Sequence, residues 1–300
     1  MMWIPTSAIQ IVAPLLLTLT VLSLWLAPRA WPAFLVLTFL AGCASGQLTW
    51  AAGLGLILLA AACYEYAGNS PRTSKWPARL LQIASFLTIV IVAVLLAIHA
   101  LPGFHNIQVL PPTRLTSRSM PYDQWINFDK TLAGVLILGI WYRKPIATAA
   151  QLKAALSRAA APMIVTIPAV IVLGRALGYI QWDPKWTSQF WPWAAINLLS
   201  TCMSEEAFFR AFLQTGIERL TAAVTAKRPS GAAIAITCSA VLFGLAHIAG
   251  GWRYVALATV AGAGYGTVFY RSRRIEASIL AHFTLNAVHF LLFTYPAASA

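Results

Sequence analysis

Two adjacent carboxylates, Glu205 and Glu206, sit inside the apolar run FWPWAAINLLSTCMSEEAFFRAFL, in a chain with only eight Asp and Glu residues. Ionisable groups inside a membrane are costly, so each one calls for a functional reading. On a helix, Glu206 and Arg210 are four residues apart and can pair. Glu205 projects about 100° away from that pair. It is the carboxylate left for general-base work. The plainer alternative is a structural Glu–Arg pair beside an interfacial glutamate. Cys202, four residues before Glu206, offers a thiol as a further alternative.

Two more polar positions follow. In Phe243-Gly244-Leu245-Ala246-His247 the histidine closes an apolar helix, with Phe243 one turn earlier on the same face. In His282-Phe283-Thr284-Leu285-Asn286 the histidine and the amide share a face that His289 continues. A histidine and an asparagine projecting together can both donate hydrogen bonds to a developing oxyanion. They can also serve only as polar glue between helices, which is the reading given to His289. Between these motifs, Gly262 and Gly266 of Gly262-Ala263-Gly264-Tyr265-Gly266 form a small face that permits close helix approach. Ser278, one turn before His282, is expected to join that packing.

These residues need helices to hold them, and the composition says where the helices lie. Of 300 residues, 59% are hydrophobic and 10% charged, against about 25% charged in a soluble domain; mean hydropathy is +0.73. No soluble monomer hides that much apolar surface. The predicted fold is all-α: a polytopic transmembrane bundle of about 8–10 spans. Candidate segments fall at 8–27, 31–46, 48–67, 80–101, 128–142, 161–180, 191–215, 232–249, 252–270 and 276–295. Continuous rather than alternating apolar runs exclude a β-barrel. The first run is too long for a signal peptide and reads as a retained span. The stretch 143–160 reads as a basic interfacial helix.

The net charge of +13 would suggest nucleic acid in a soluble protein. Here it follows from basic loops: Arg72/Lys75/Arg79, Arg143/Lys144/Lys153/Arg158, Arg219/Lys227/Arg228 and Arg271/Arg273/Arg274. With ten spans all four face the cytoplasm. The loops 102–127 and 181–190, and both termini, then face outward. Cys43, Cys63, Cys202 and Cys238 form no CxxC and read as small buried hydrophobes. Residues 1–160 hold almost no ionisable group inside a span, apart from Glu65 and His99 near segment ends. They read as a transmembrane region of unknown role, and 161–300 as the catalytic domain. Counting about 1.5 Å per residue, Glu205 and His282 both lie roughly 10 Å from the cytoplasmic edge. The same count puts His247 near the opposite edge, so either the helix at 232–249 starts well below the membrane surface or one span boundary differs.

Each motif is weak alone, but EExxxR, FxxxH and HxxxN, in this order on three spans, resemble the CPBP family of intramembrane proteases. That family includes the type II CAAX prenyl proteases (Rce1-like) and the Abi and lysostaphin-resistance-type bacterial proteins. The resemblance covers about residues 190–295, and every signature position is filled. It implies an endopeptidase in which Glu205 activates water, Glu206 and Arg210 support it, and His282 and Asn286 stabilise the tetrahedral oxyanion. His247 would orient or activate the water. The family has been described both as metalloproteases and as metal-independent glutamate proteases. A divalent metal such as zinc would take Glu205, His247 and His282, but no HExxH occurs, and the metal-free route is preferred. The expected partners are the lipid bilayer and a membrane-associated protein or peptide substrate. The expected place is the plasma membrane, with the site nearer the cytoplasmic side. A non-proteolytic immunity or scaffold protein, binding a peptide with the same residues, is the alternative function. A transporter would need charges along a path across the bilayer, whereas here they cluster in one C-terminal site.

Overall fold

The structure, a computed structural model, describes residues 9–68, 76–224 and 228–299. Arg72, Lys75 and Lys227 of the basic clusters lie outside the described residues, as does the side chain of Arg228. Helices α1 (Ile9–Leu26), α2 (Trp31–Ala44), α3 (Trp50–Gly68) and α4 (Trp76–Ala97) come first. A short hairpin of β1 (Ile107–Thr113) and β2 (Tyr122–Ile126) follows, then α5 (Phe128–Leu136), α6 (Ala149–Ala176), α7 (Phe190–Ile196), α8 (Met203–Glu206) and α9 (Thr215–Val224). The last three helices are α10 (Arg228–Leu245), α11 (Gly251–Ser272) and α12 (Ile275–Leu292). The fold is an all-α polytopic bundle, with the hairpin as a small β addition within 102–127.

Helices occupy each of the expected apolar segments, with three local differences. The interfacial helix expected over 143–160 and the span over 161–180 are one helix, α6. Thr148 caps it, its side chain accepting from the Gln151 amide at 3.2 Å, and Pro162 and Pro168 lie inside it. Its 28 residues reach about 42 Å, beyond a hydrocarbon core of about 30 Å. The helical stretch from 190 to 224 is interrupted by wide π turns at Asn197–Cys202 and Ala207–Gln214. Among the described residues four helices, α3, α4, α6 and α12, are long and apolar enough on their own to cross a membrane. The pair Ser230–Leu245 and Ile248–Ser272 passes only together, with a 55° bend. The third difference is that α10 starts at Arg228 and ends at Leu245, displaced towards the N-terminus from the expected 232–249.

The chain divides into two compact units. The first holds Met1–Val109, Trp125–Lys144 and Leu199–Phe208. Within it Thr20 and Thr38 share a buried hydroxyl hydrogen bond of 2.9 Å between α1 and α2. Tyr66 of α3 packs on Phe86 of α4 and on Trp141 after α5. The buried Asp129 carboxylate receives the His99 ring at 2.6 Å and the Asn106 amide at 3.0 Å, and Asn106 accepts from the Phe128 amide at the start of α5. Every backbone donor at this helix start needs such a partner.

The second unit holds Leu110–Gln124, Pro145–Leu198 and Phe209–Ala300. One turn of α11 organises it. A Cβ on Gly262 would fall 3.2 Å from the Ala240 Cα and the Phe243 ring of α10. One on Gly264 would fall 2.2 Å from the Thr166 side chain of α6, and one on Gly266 2.8 Å from Gln214. The glycine face expected to pack closely does so, and on both sides of the helix. Gly244 contacts the Val255 carbonyl and Thr259, so α10 and α11 fold back on each other. Ser278 also packs as expected: its buried hydroxyl donates to the Tyr265 carbonyl at 3.2 Å.

Candidate active site

The first motif lies where the helical stretch 190–224 changes winding. The short α8 carries Glu205 and Glu206, with a wide turn on either side; such turns recur at functional sites. In the first unit, Gly134 of α5 lets the chain pass so closely that a Cβ there would meet the Ser204 Cα at 2.7 Å. The Ser204 hydroxyl donates to the Ser200 carbonyl at 2.6 Å, and the Ser200 and Thr131 hydroxyls are hydrogen bonded. Glu206 is fully buried and Glu205 partly exposed. Both glutamates belong to this unit; the other four motif residues belong to the second.

In the second unit three of those residues, Arg210, His247 and His282, gather on one aromatic ring. Phe243 is buried near the end of α10. The His247 ring lies 4.7 Å from it and the His282 ring 5.7 Å from it, edge-on. The Arg210 guanidinium sits 5.1 Å above it, a stabilising placement for a cation. His247 and His282 thus meet the same ring, although a count of residues set them apart. The count of rise per residue locates Cα atoms on an assumed boundary, but α10 ends at Leu245 and long side chains lean back over the preceding turn.

Each group has its own support. Arg210 is fully buried and donates to the Ser239 hydroxyl at 2.8 Å, which donates in turn to the Phe209 carbonyl at 2.9 Å. His247 follows α10 in the turn before Ile248–Gly250, and its Nδ1 lies 2.7 Å from the Phe243 carbonyl. A carbonyl only accepts, so Nδ1 carries a proton and Nε2 is the nitrogen turned to other groups. His282, 5% exposed, stacks on Tyr265 with centroids 4.5 Å and planes 19° apart. Asn286, one turn on, donates from Nδ2 to the Asn197 Oδ1 at 3.2 Å. His289 bonds the Thr294 carbonyl just beyond its own helix. Among the described residues no three His, Cys, Asp or Glu side chains are grouped to hold a metal ion. Sequence reasoning missed Ser239, Asn197 and the stacking role of Tyr265. Ser239 does sit one turn before Phe243 on the face that ends at His247.

Comparison with protein families gives one match: residues 186–288 fit the family described as type II CAAX prenyl endopeptidase Rce1-like. Residues 186–288 are thus similar to that family over about a third of the chain. The matched stretch contains Glu205, Glu206, Arg210, His247, His282 and Asn286. No curated protein and no solved structure matches the chain. The Rce1-like family is one of endopeptidases, and the apolar helices α3, α4, α6 and α12 make the chain an integral membrane protein.

Proposed function

We propose that the protein is an intramembrane endopeptidase of the CAAX prenyl protease type. The reading rests on one observation: the Rce1-like match spans all six motif residues, four of which the second unit supports from buried neighbours. Glu205 takes a proton from water, and the water attacks the peptide carbonyl directly, with no acyl-enzyme. His247 accepts from the same water through Nε2 and orients it. His282 and Asn286 donate to the oxyanion of the tetrahedral intermediate, where preorganised donors contribute most. Glu205 then returns its proton to the leaving amine, and the tetrahedral species collapses to two peptides. Glu206 and Arg210 hold the glutamate helix. Residues 161–300 carry the reaction and 1–160 support it, in the plasma membrane, with the site nearer the cytoplasmic side. The substrate is a membrane-associated protein or peptide.

The test compares peptide termini, by mass spectrometry, in membranes carrying the native chain and Glu205→Ala. The native chain is expected to generate new termini that the variant does not, with equal expression and melting of both. Products that persist with Glu205→Ala overturn the reading. Binding of a peptide without any product supports the scaffold alternative instead.

A further inference from the structure

We infer that Asn197 is a positioning residue that sets the amide of Asn286 for oxyanion binding, an inference that rests on the reading above. Asn197 is an amide in an otherwise apolar stretch of helix, 7% exposed, at the first residue of the wide turn Asn197–Cys202. A buried polar side chain needs a partner, and the partner here is the motif asparagine: Asn286 Nδ2 donates to Asn197 Oδ1 at 3.2 Å.

The separation of the two amides is held by the packing beside them. Trp193, four residues before Asn197, stacks on Phe290, four residues after Asn286, with centroids 4.3 Å and planes 27° apart. Phe283, one turn before Asn286, lies over the same indole at 6.0 Å. The Trp193 ring is fully buried and its Nε1 donates to the Tyr295 hydroxyl at 3.1 Å. The stack fixes α7 against α12, and the hydrogen bond then fixes rotation of the Asn286 amide about its last bond. An NH₂ group carries two hydrogens in one plane. With one directed at Asn197, the plane of the amide is set, and with it the direction from which Asn286 meets the oxyanion in the proposed reaction. Preorganised donors need no reorientation as charge develops.

The full chain in lipid, with a peptide chosen from its Glu205-dependent products, tests this. Asn197→Leu keeps the volume and removes the acceptor; Asn197→Asp keeps an acceptor oxygen in place. Rates are taken per folded protein, determined from the melting of each sample. Asn197→Leu is expected to lower kcat by about 10–100-fold, the usual effect of removing an outer supporting partner, with KM unchanged. Asn197→Asp is expected to retain most of kcat. A native kcat in Asn197→Leu overturns the inference, and so does an equal loss in both variants or a change confined to KM. A merely structural role would alter melting without splitting kcat from KM. Cleavage that survives Glu205→Ala would instead bring down the protease reading itself.

Discussion

The phenol ring of Tyr265 lies face to face with the imidazole of His282, 4.5 Å between centroids and 19° between planes, while Phe243 meets the same imidazole edge-on at 5.7 Å. The two aromatic rings leave the histidine one plane to occupy. Stacking needs the ring and not the hydroxyl, so Tyr265→Phe is expected to cleave at the native rate. Tyr265→Leu is expected to lose about tenfold or more in kcat. Steady-state cleavage of a Glu205-dependent peptide checks both; a native rate in Tyr265→Leu removes the positioning role.

Arg210 and Ser239 give a prediction about stability. The hydroxyl accepts from the guanidinium at 2.8 Å and is itself anchored on the Phe209 carbonyl. Both side chains are fully buried, so Ser239→Ala takes a partner from a cation that water cannot reach. The expected loss is about 1–3 kcal/mol, read as a lower midpoint in denaturant unfolding. An unchanged midpoint would show that the Ser239 hydroxyl contributes nothing to holding the guanidinium.

Close approach at Gly134 gives another. A Cβ there would stand 2.7 Å from the Ser204 Cα and 2.9 Å from its Cβ. Neither atom can swing away, so Gly134→Ala must part α5 from α8. Overpacking of this kind costs about 1–3 kcal/mol. Because Glu205 follows Ser204 directly, turnover is expected to fall with the melting temperature. A variant as stable and active as the native chain would contradict the contact.

Lys185 predicts a pH dependence. Its ammonium donates to the Asp183 carbonyl at 3.2 Å and to the Phe293 carbonyl. Burial pulls its pKa below the ordinary 10.5, against the opposing pull of the Asp183 carboxylate. The folded chain therefore binds fewer protons than the unfolded chain between the lowered value and 10.5, and stability rises with pH across that window. Lys185→Met is expected to flatten the rise in unfolding free energy measured over alkaline pH. An identical slope in both proteins would rule it out.

The bundle was legible because hydrocarbon tolerates only satisfied backbone, which turns apolar runs such as 276–295 into helices such as α12. The motif residues were legible because Glu205, His247, His282 and Asn286 are polar where polarity is costly. What stayed hidden was winding and level. No residue type announces the wide turns at 197–202 and 207–214. The hairpin at 107–126 was masked by Pro111 and Pro112, which disfavour a strand interior. A count of residues set His247 apart from His282 because it locates backbone atoms and not ring centroids. Asn197 went unremarked because one amide among apolar neighbours resembles ordinary glue until its partner is known.

Gly262, Gly264 and Gly266 leave α11 little room to move. Thr166 closes on Gly264 from one flank, while Ala240, Phe243 and Gln214 close on Gly262 and Gly266 from the other. With no side chains on α11 to retract at these points, sliding or tilting it would drive its backbone straight into its neighbours. The Tyr265 ring that α11 carries against His282 is therefore held as firmly as the helix itself.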